Sequence, residues 1–247
     1  MKQLLLTTLL ALAITVPGHG ASTHPSWSYS GVKGPANWGL LAPEFFTCAT
    51  GKNQSPINID NSYRAIVDRL DFHYQPGGKE IVNNGHSIQI NFNPGSSLVL
   101  GEHAYELKQL HFHTPSEHQI KGKSFPMEAH LVHADAKGKL AVVAILFRDA
   151  RWSESLLQDL WKRMPMKAGH KVILEDPISP EDLLPSSKRF YLLNGSLTTP
   201  PCSEGVTWIV MKQAQDVTSD QVEKLLKAVG NENNRPVQPV NARIIVE

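Results

Sequence analysis

Hydrophobic and polar positions alternate in short runs through most of the chain, and the runs are bounded by turn-forming residues. Residues 66–74 (IVDRLDFHY), 87–92 (SIQINF), 97–101 (SLVLG), 105–114 (YELKQLHFHT), 127–135 (MEAHLVHAD), 188–195 (KRFYLLNG) and 205–213 (GVTWIVMKQ) read as strands, with NNG, NPGSS and AKGK as turns between some of them. Residues 139–149 contain LAVVAILF, a continuous apolar run that predicts a central strand covered on both faces. Helical spacing is rarer. It occurs in 153–164 (SESLLQDLWKRM, capped by Ser153), in 179–185 (SPEDLLP) and in 218–230 (TSDQVEKLLKAVG, closed by Gly230). Residues 21–53 are irregular and carry Trp27, Tyr29 and Trp38, aromatic rings expected to wrap a core built elsewhere. The pattern predicts a mostly β protein: one domain over residues 21–247, built on a large sheet with a few peripheral helices.

The first twenty residues depart from this pattern. Lys2 precedes a thirteen-residue apolar stretch, Leu4 to Val16, and Gly18 and Gly20 supply the small residues a signal peptidase needs, so 1–20 read as a secretory signal. The stretch is short of the roughly 20 residues a membrane span requires, and no other apolar run reaches that length. The 24 basic and 23 acidic residues balance once Lys2 is set aside with the leader. Without a basic stripe or charge block, nucleic acid and anionic membranes have no electrostatic basis as partners. Two cysteines, Cys48 and Cys202, in an exported chain read most economically as one disulfide, the alternative being two buried thiols.

The chemistry concentrates in 109–133, QLHFHTPSEHQIKGKSFPMEAHLVH, which holds five of the eleven histidines. Side chains two apart on a strand share a face, so His111 and His113 point together and Phe112 points away. If EAHLVH returns antiparallel after the turn-prone QIKGKS, His130 joins them. Three neutral imidazoles with a fourth position left to water describe a catalytic zinc site. Gln109 and Glu128 each lie two residues before a histidine, on its face, and suit the second ring nitrogen. His118 and His133 read as structural hydrogen-bonding histidines. A lone strand histidine is more often structural than a ligand, so the His-x-His pair is a metal signal of moderate strength.

Further motifs stand in order along the chain: QSPINI (54–59), NNGHS (83–87), QLHFH (109–113), SEH (116–118), EAHLVH (128–133), NGSLTTPPC (194–202) and VTWIV (206–210). With them, the sequence resembles the α-class carbonic anhydrases, most closely their secreted bacterial members, from Trp27 to Ile245. This is the family that supplies the standard case of a three-histidine zinc site. The resemblance implies a single domain around a twisted, largely antiparallel sheet of about ten strands. It implies reversible hydration of carbon dioxide to bicarbonate by zinc-bound hydroxide, with Zn2+ held by His111, His113 and His130. Gln109, Glu128 and the carbonyl of Asn233 would fix the ligands. Thr198 would orient the hydroxide and donate to Glu117, and Thr199 would line the bicarbonate site. Val132, Val142, Leu197 and Trp208 would form an apolar wall for carbon dioxide. His86 would shuttle protons, with Tyr29, Asn84 and Gln89 along the path, and the Pro200–Pro201 bond would be cis. A Cys48–Cys202 bond would tether the loop carrying Thr198. The location implied is periplasmic or secreted, and a homodimer is compatible.

Departures from the animal pattern touch no ligand: Thr114 follows the second ligand, and Gln89 stands where Asn is common. Two rivals remain open at this level. HFHTPSE also reads as the first metal motif of a cupin, in which Glu117 would be a ligand, although the expected glycines are replaced by Tyr105 and Ser124. A non-enzymatic binding module on the same scaffold is the other, and the full ligand set argues for catalysis. No nucleophile elbow, dinucleotide fingerprint or phosphate loop is present.

Overall fold

The computed structural model describes residues 25–153 and 155–247; the leader read at 1–20 lies outside them. Thirteen strands occur among the described residues: β1 (Asn58–Ile59), β2 (Leu70–His73), β3 (Gly78–Asn83), β4 (Ile88–Phe92), β5 (Ser97–Leu100), β6 (His103–His113), β7 (Gln119–Ile120), β8 (Met127–Ala134), β9 (Leu140–Asp149), β10 (Lys171–Ile178), β11 (Phe190–Ser196), β12 (Glu204–Met211) and β13 (Gln215–Val217). Eleven form one sheet, whose main path runs β10-β3-β4-β6-β8-β9-β12-β11; β5 joins β6, β2 joins β5, and β13 joins β9. β1 and β7 make a separate parallel pair. Most pairings are antiparallel, but β12 and β13 both run parallel to β9.

Strand β9 lies at the middle, as its apolar run predicts. Its odd residues Ala141, Val143, Ile145 and Phe147 enter one core and its even residues Val142, Ala144 and Leu146 enter another. The first core is roofed by helices α3 (Ser155–Arg163) and α4 (Ser219–Val229), which contribute Leu156, Leu157, Leu160, Trp161 and Leu225. Phe112 packs edge-on to Trp161 there, ring centroids 5.1 Å apart. Burying a Phe side chain completely contributes roughly 2–3 kcal/mol, so Phe112 anchors β6 with its two flanking histidines turned to the opposite face. Helix α4 has the cap its sequence suggests: Thr218 and Gln221 form a reciprocal capping box, and Gly230 ends the helix at φ 86°. Helix α3 is described from Ser155, and the buried Ser153 hydroxyl has no hydrogen-bond partner among the described residues.

Two short helices, α1 (Trp38–Leu41) and α2 (Thr47–Thr50), belong to the amino-terminal wrap. Trp38 is fully buried, its indole N–H donating to the carbonyls of Ser28 and Lys33. The disulfide pairs Cys48 with Cys202 across 154 residues of sequence and pins this wrap to the loop after β11. Closing a loop of that length stabilises by at most about 5 kcal/mol in the chain-entropy picture. The strands β3 and β10 were not legible as strands. β10 is an edge strand with five of eight residues exposed, so little apolar periodicity marks it.

Candidate metal centre

Register explains the site. On β6 and β8, His111 lies opposite His130, and Gln109 opposite Val132. On the next strands Val132 faces Val142, and Val142 faces Trp208. Gln89 of β4 stands beside His111 at the other flank. Two adjacent rows therefore cross one sheet face, one starting Gln89-His111-His130 and the other Gln109-Val132-Val142-Trp208. Period two along each strand then adds His113 and Glu128, which are themselves register partners.

One ring nitrogen from each of His111, His113 and His130 lies within 4.8 Å of the other two. The remaining nitrogen of each ring has a fixed acceptor. His111 Nδ1–H donates to Gln109 Oε1 at 2.8 Å, His113 Nδ1–H to the Asn233 carbonyl at 2.7 Å, and His130 Nε2–H to Glu128 Oε1 at 2.7 Å. These bonds fix the tautomers and leave His111 Nε2, His113 Nε2 and His130 Nδ1 as bare acceptors. His113 Nε2 is buried with no partner. Burial, followed by the neighbouring imidazoles, holds His111 well below the usual histidine range, and burial lowers His113 against the pull of Glu117. Both rings are neutral near pH 7. Three convergent imidazole nitrogens whose partner nitrogens are engaged suit a divalent metal of borderline softness.

Glu128 is the junction beneath the ligands. Its Oε2 accepts the backbone N–H groups of Glu117 and His118, and its Oε1 accepts His118 Nδ1–H as well as His130 Nε2–H, all at 2.7 Å. Burial opposes its ionisation, yet the neighbouring His118 and His130 rings, which also donate hydrogen bonds to it, hold the carboxyl well below the usual carboxylate range. His118, Glu128 and His130 also cluster closely enough to hold an ion, but their facing atoms are already bonded to one another.

Glu117 is buried with Oε1 accepting the Arg235 backbone N–H at 2.8 Å. Its Oε2 stands 3.6 Å from His113 Nε2 and 3.9 Å from His130 Nδ1 and accepts no hydrogen bond. The expected bond from Thr198 is therefore not made here, although Thr198 is buried in the loop after β11. That loop is shaped by Cys202 N–H donating to the Thr199 carbonyl, and its Pro200–Pro201 bond is cis as expected.

A cavity of about 140 Å³ opens over the histidines, lined by Trp27, Tyr29, Asn84, His86, Gln89 and Thr199 among others. His86 follows a turn in which Asn84 Oδ1 accepts the N–H groups of His86 and Ser87. Trp27 stacks on its ring, centroids 3.9 Å apart and planes 10° from parallel. Burial lowers the His86 pKa, and burial followed by Glu117 raises Tyr29 well above the usual range. The sequence reading missed the Trp27 contact; only the aromatic density of WSYS hinted at it. Val132, Val142, Leu197 and Trp208 meet in one apolar cluster, with the Trp208 ring 4.9 Å from His130.

His133 serves elsewhere, as its odd offset from His130 implies. It is fully buried on the opposite face, stacked on Tyr74, with Nε2 2.8 Å from the Tyr74 hydroxyl. Burial lowers its pKa from 6.5 to about 4. Between those values the unfolded chain binds a proton that the folded chain refuses, so stability falls as pH drops through that window, by roughly 3 kcal/mol in total. Urea unfolding of metal-free protein at pH 7, 5.5 and 4.5 should show this slope, and His133→Gln should flatten it; equal slopes in both proteins would contradict the assignment.

Comparison with known proteins bears on the same face. A family model described as eukaryotic-type carbonic anhydrase matches residues 33–247. The chain belongs to the α-class carbonic anhydrase family. It is 46% identical to a carbonic anhydrase of Neisseria gonorrhoeae over 98% of this chain and 96% of that one. With a carbonic anhydrase of Pectobacterium carotovorum it shares 41% identity over 96% and 97% respectively. The α-carbonic anhydrase of Thermovibrio ammonificans, solved with the inhibitor sulfanilamide, superposes with a TM-score of 0.88 at 43% identity, covering 91% of this chain and all of that one. The carbonic anhydrase assignment removes the cupin alternative. The reaction of this carbonic anhydrase is the reversible hydration of carbon dioxide.

Proposed function

We propose that the chain is a zinc carbonic anhydrase of the periplasm or cell exterior, exported by residues 1–20, with His111, His113 and His130 holding the metal. The observation that carries this reading is the set of three convergent ring nitrogens whose partner nitrogens are all engaged. Zinc there supplies Lewis acidity, and carbonic anhydrase is itself the standard example of a metal lowering the pKa of bound water to about 7. Neutral ligands leave the metal charge undiluted. The disulfide accords with an oxidising compartment, and no described helix is long and apolar enough to cross a membrane.

The protein's own groups do the rest. Glu117 Oε2, without a partner in this structure, is the acceptor to which Thr198 would turn its hydroxyl hydrogen in the working site, and the Thr198 oxygen would then be restricted to accepting from the reacting water. Thr199 offers a polar contact to bicarbonate. The cluster of Val132, Val142, Leu197 and Trp208 receives carbon dioxide, which has no charge to hold. His86, half-buried at the cavity wall, takes the released proton outward past Tyr29, Asn84 and Gln89.

Stopped-flow carbon dioxide hydration with zinc quantified in the same sample tests the whole reading. Activity should vanish on chelation and return with one equivalent of zinc. Stoichiometric zinc without hydration would point to a binding module instead. For the relay, His86→Ala should lower kcat by about 10- to 100-fold in dilute buffer and leave kcat/KM unchanged. Concentrated imidazole should restore turnover, and failure of that rescue would remove His86 from the path.

A further inference from the structure

Arg235 is the anomaly of this fold. Its residue is 2% exposed, yet among the described residues no carboxylate contacts its guanidinium. Nη1 donates to Gln54 Oε1 and to the Ser55 carbonyl, both at 2.8 Å, and Nη2 donates to the Cys48 carbonyl at 3.1 Å. Nε has no partner, and the guanidinium lies 5.7 Å from the centre of the Trp38 ring. A buried cation held only by neutral oxygens is costly and persists where something else depends on it.

Its surroundings say what depends on it. Gln54 Nε2 donates to the Cys202 carbonyl at 3.0 Å, so Arg235 and Gln54 together bridge the two halves of the disulfide through their main-chain oxygens. Ser55 exchanges hydrogen bonds with Ser196, at the end of β11 and the root of the Thr198 loop. The Arg235 main chain, meanwhile, supplies the N–H that holds Glu117 Oε1. The Arg235 side chain therefore clamps the segment 48–55, Gln54 and Ser55 carry the link on to Cys202 and Ser196, and the Arg235 backbone connects this junction to the carboxylate beside the ligand nitrogens.

We propose that Arg235 is a positioning residue for carbon dioxide hydration: its guanidinium, clamped by Cys48, Gln54 and Ser55, fixes the backbone N–H that orients Glu117, and registers Glu117 against the Thr198 loop. The inference rests on the reading of Glu117 as the acceptor that orients Thr198. Gln54 acts through Arg235, and the disulfide tightens the same junction from outside.

The test is a double-mutant cycle on the zinc-loaded protein in saturating imidazole, with zinc content measured for every variant. Arg235→Met should lower kcat/KM about 10- to 100-fold, the scale on which small misplacements near reacting groups are felt. The buffer concentration giving half-maximal kcat should not move, because proton export is untouched. Arg235→Lys keeps a cation but loses the planar fork, and should recover only part of the loss. In a Glu117→Gln background, Arg235→Met should cost less than about twofold, since the two act as one unit. In metal-free protein, hydrogen exchange at the residue 235 amide should quicken at least tenfold in Arg235→Met, beyond any change at the β6 amides. Should Arg235→Met fail to fold, Arg235→Lys and Gln54→Met carry the same comparisons. Full activity per zinc in these variants, or an undiminished loss in the Glu117→Gln background, overturns the proposal. Unchanged kcat/KM in Glu117→Gln alone overturns the underlying reading of Glu117 instead.

Discussion

His111→Ala yields a folded protein that emerges from dialysis without stoichiometric zinc and hydrates carbon dioxide at least about 10³-fold more slowly than wild type, since the metal supplies several kcal/mol of charge stabilisation. The fold survives because His111 contributes little to it. Of the three histidines it alone is only partly buried, and the β6–β8 ladder is main-chain bonding that an alanine preserves. The metal does not survive, because a two-nitrogen remnant lacks the third donor of a catalytic zinc set. Gln109→Ala provides the graded control. It leaves all three donor nitrogens in place but removes the acceptor that holds His111 Nδ1–H, and should weaken zinc binding by roughly 10- to 100-fold. Zinc analysis after dialysis, a circular-dichroism melt and stopped-flow hydration check the pair. A zinc-replete, active His111→Ala would dismiss this ligand set.

Glu128→Gln is the second large effect, and it falls on stability. One wholly buried carboxylate receives four donors, two from the main chain at Glu117 and His118 and two from the rings of His118 and His130. The amide keeps the shape but can accept at only one of its two heavy atoms, so at least two N–H groups face another donor in the interior. Removing one partner from a buried ionic arrangement costs about 3–5 kcal/mol, and urea unfolding of metal-free protein should show a loss of that size. The wild-type carboxyl is held below its ordinary range, so its contribution is complete above the unfolded-state value near 4.5 and drains away as acid protonates the folded group. Glu128→Gln should therefore lose stability at neutral pH and show a shallower acid slope below pH 4.5. Wild-type urea midpoints in the variant would mean that the four bonds are worth little.

How far the chain announced this site depends on the residue. The histidine face followed from period two alone: QLHFH puts His111 and His113 together, and the turn-prone QIKGKS returns EAHLVH so that His130 meets His111 in register. The double-sided burial of β9 was equally visible in LAVVAILF. The carboxamide and carboxylate partners of the ligands were also legible, because they sit two residues away on the same strand. Contacts that span 118 to 187 residues were not. Asn233 and Arg235 lie in an irregular stretch with no periodicity to orient them, so the carbonyl on His113 came only from family likeness and the Arg235 clamp from nothing. Edge strand β10 was missed for a related reason: it buries too little to leave an apolar stripe.

The carboxyl-terminal stretch after α4 has almost no regular structure, yet it threads back through the molecule. Asn233 reaches His113 and the main chain of His86 and Phe112, Arg235 reaches Cys48, and Val246 bridges both Tyr63 and Leu192. The order of assembly follows. The β6–β8 hairpin closes over a short loop and forms early, whereas contacts spanning most of the chain close late, after a larger loss of chain entropy. A polypeptide emerging amino-terminus first has all three clustered histidines, with Gln109 and Glu128 to hold two of them, long before it has the Asn233 carbonyl that holds His113. Until the last fifteen residues arrive, His113 lacks its acceptor, Glu117 Oε1 lacks the Arg235 N–H, and the site is only two-thirds oriented.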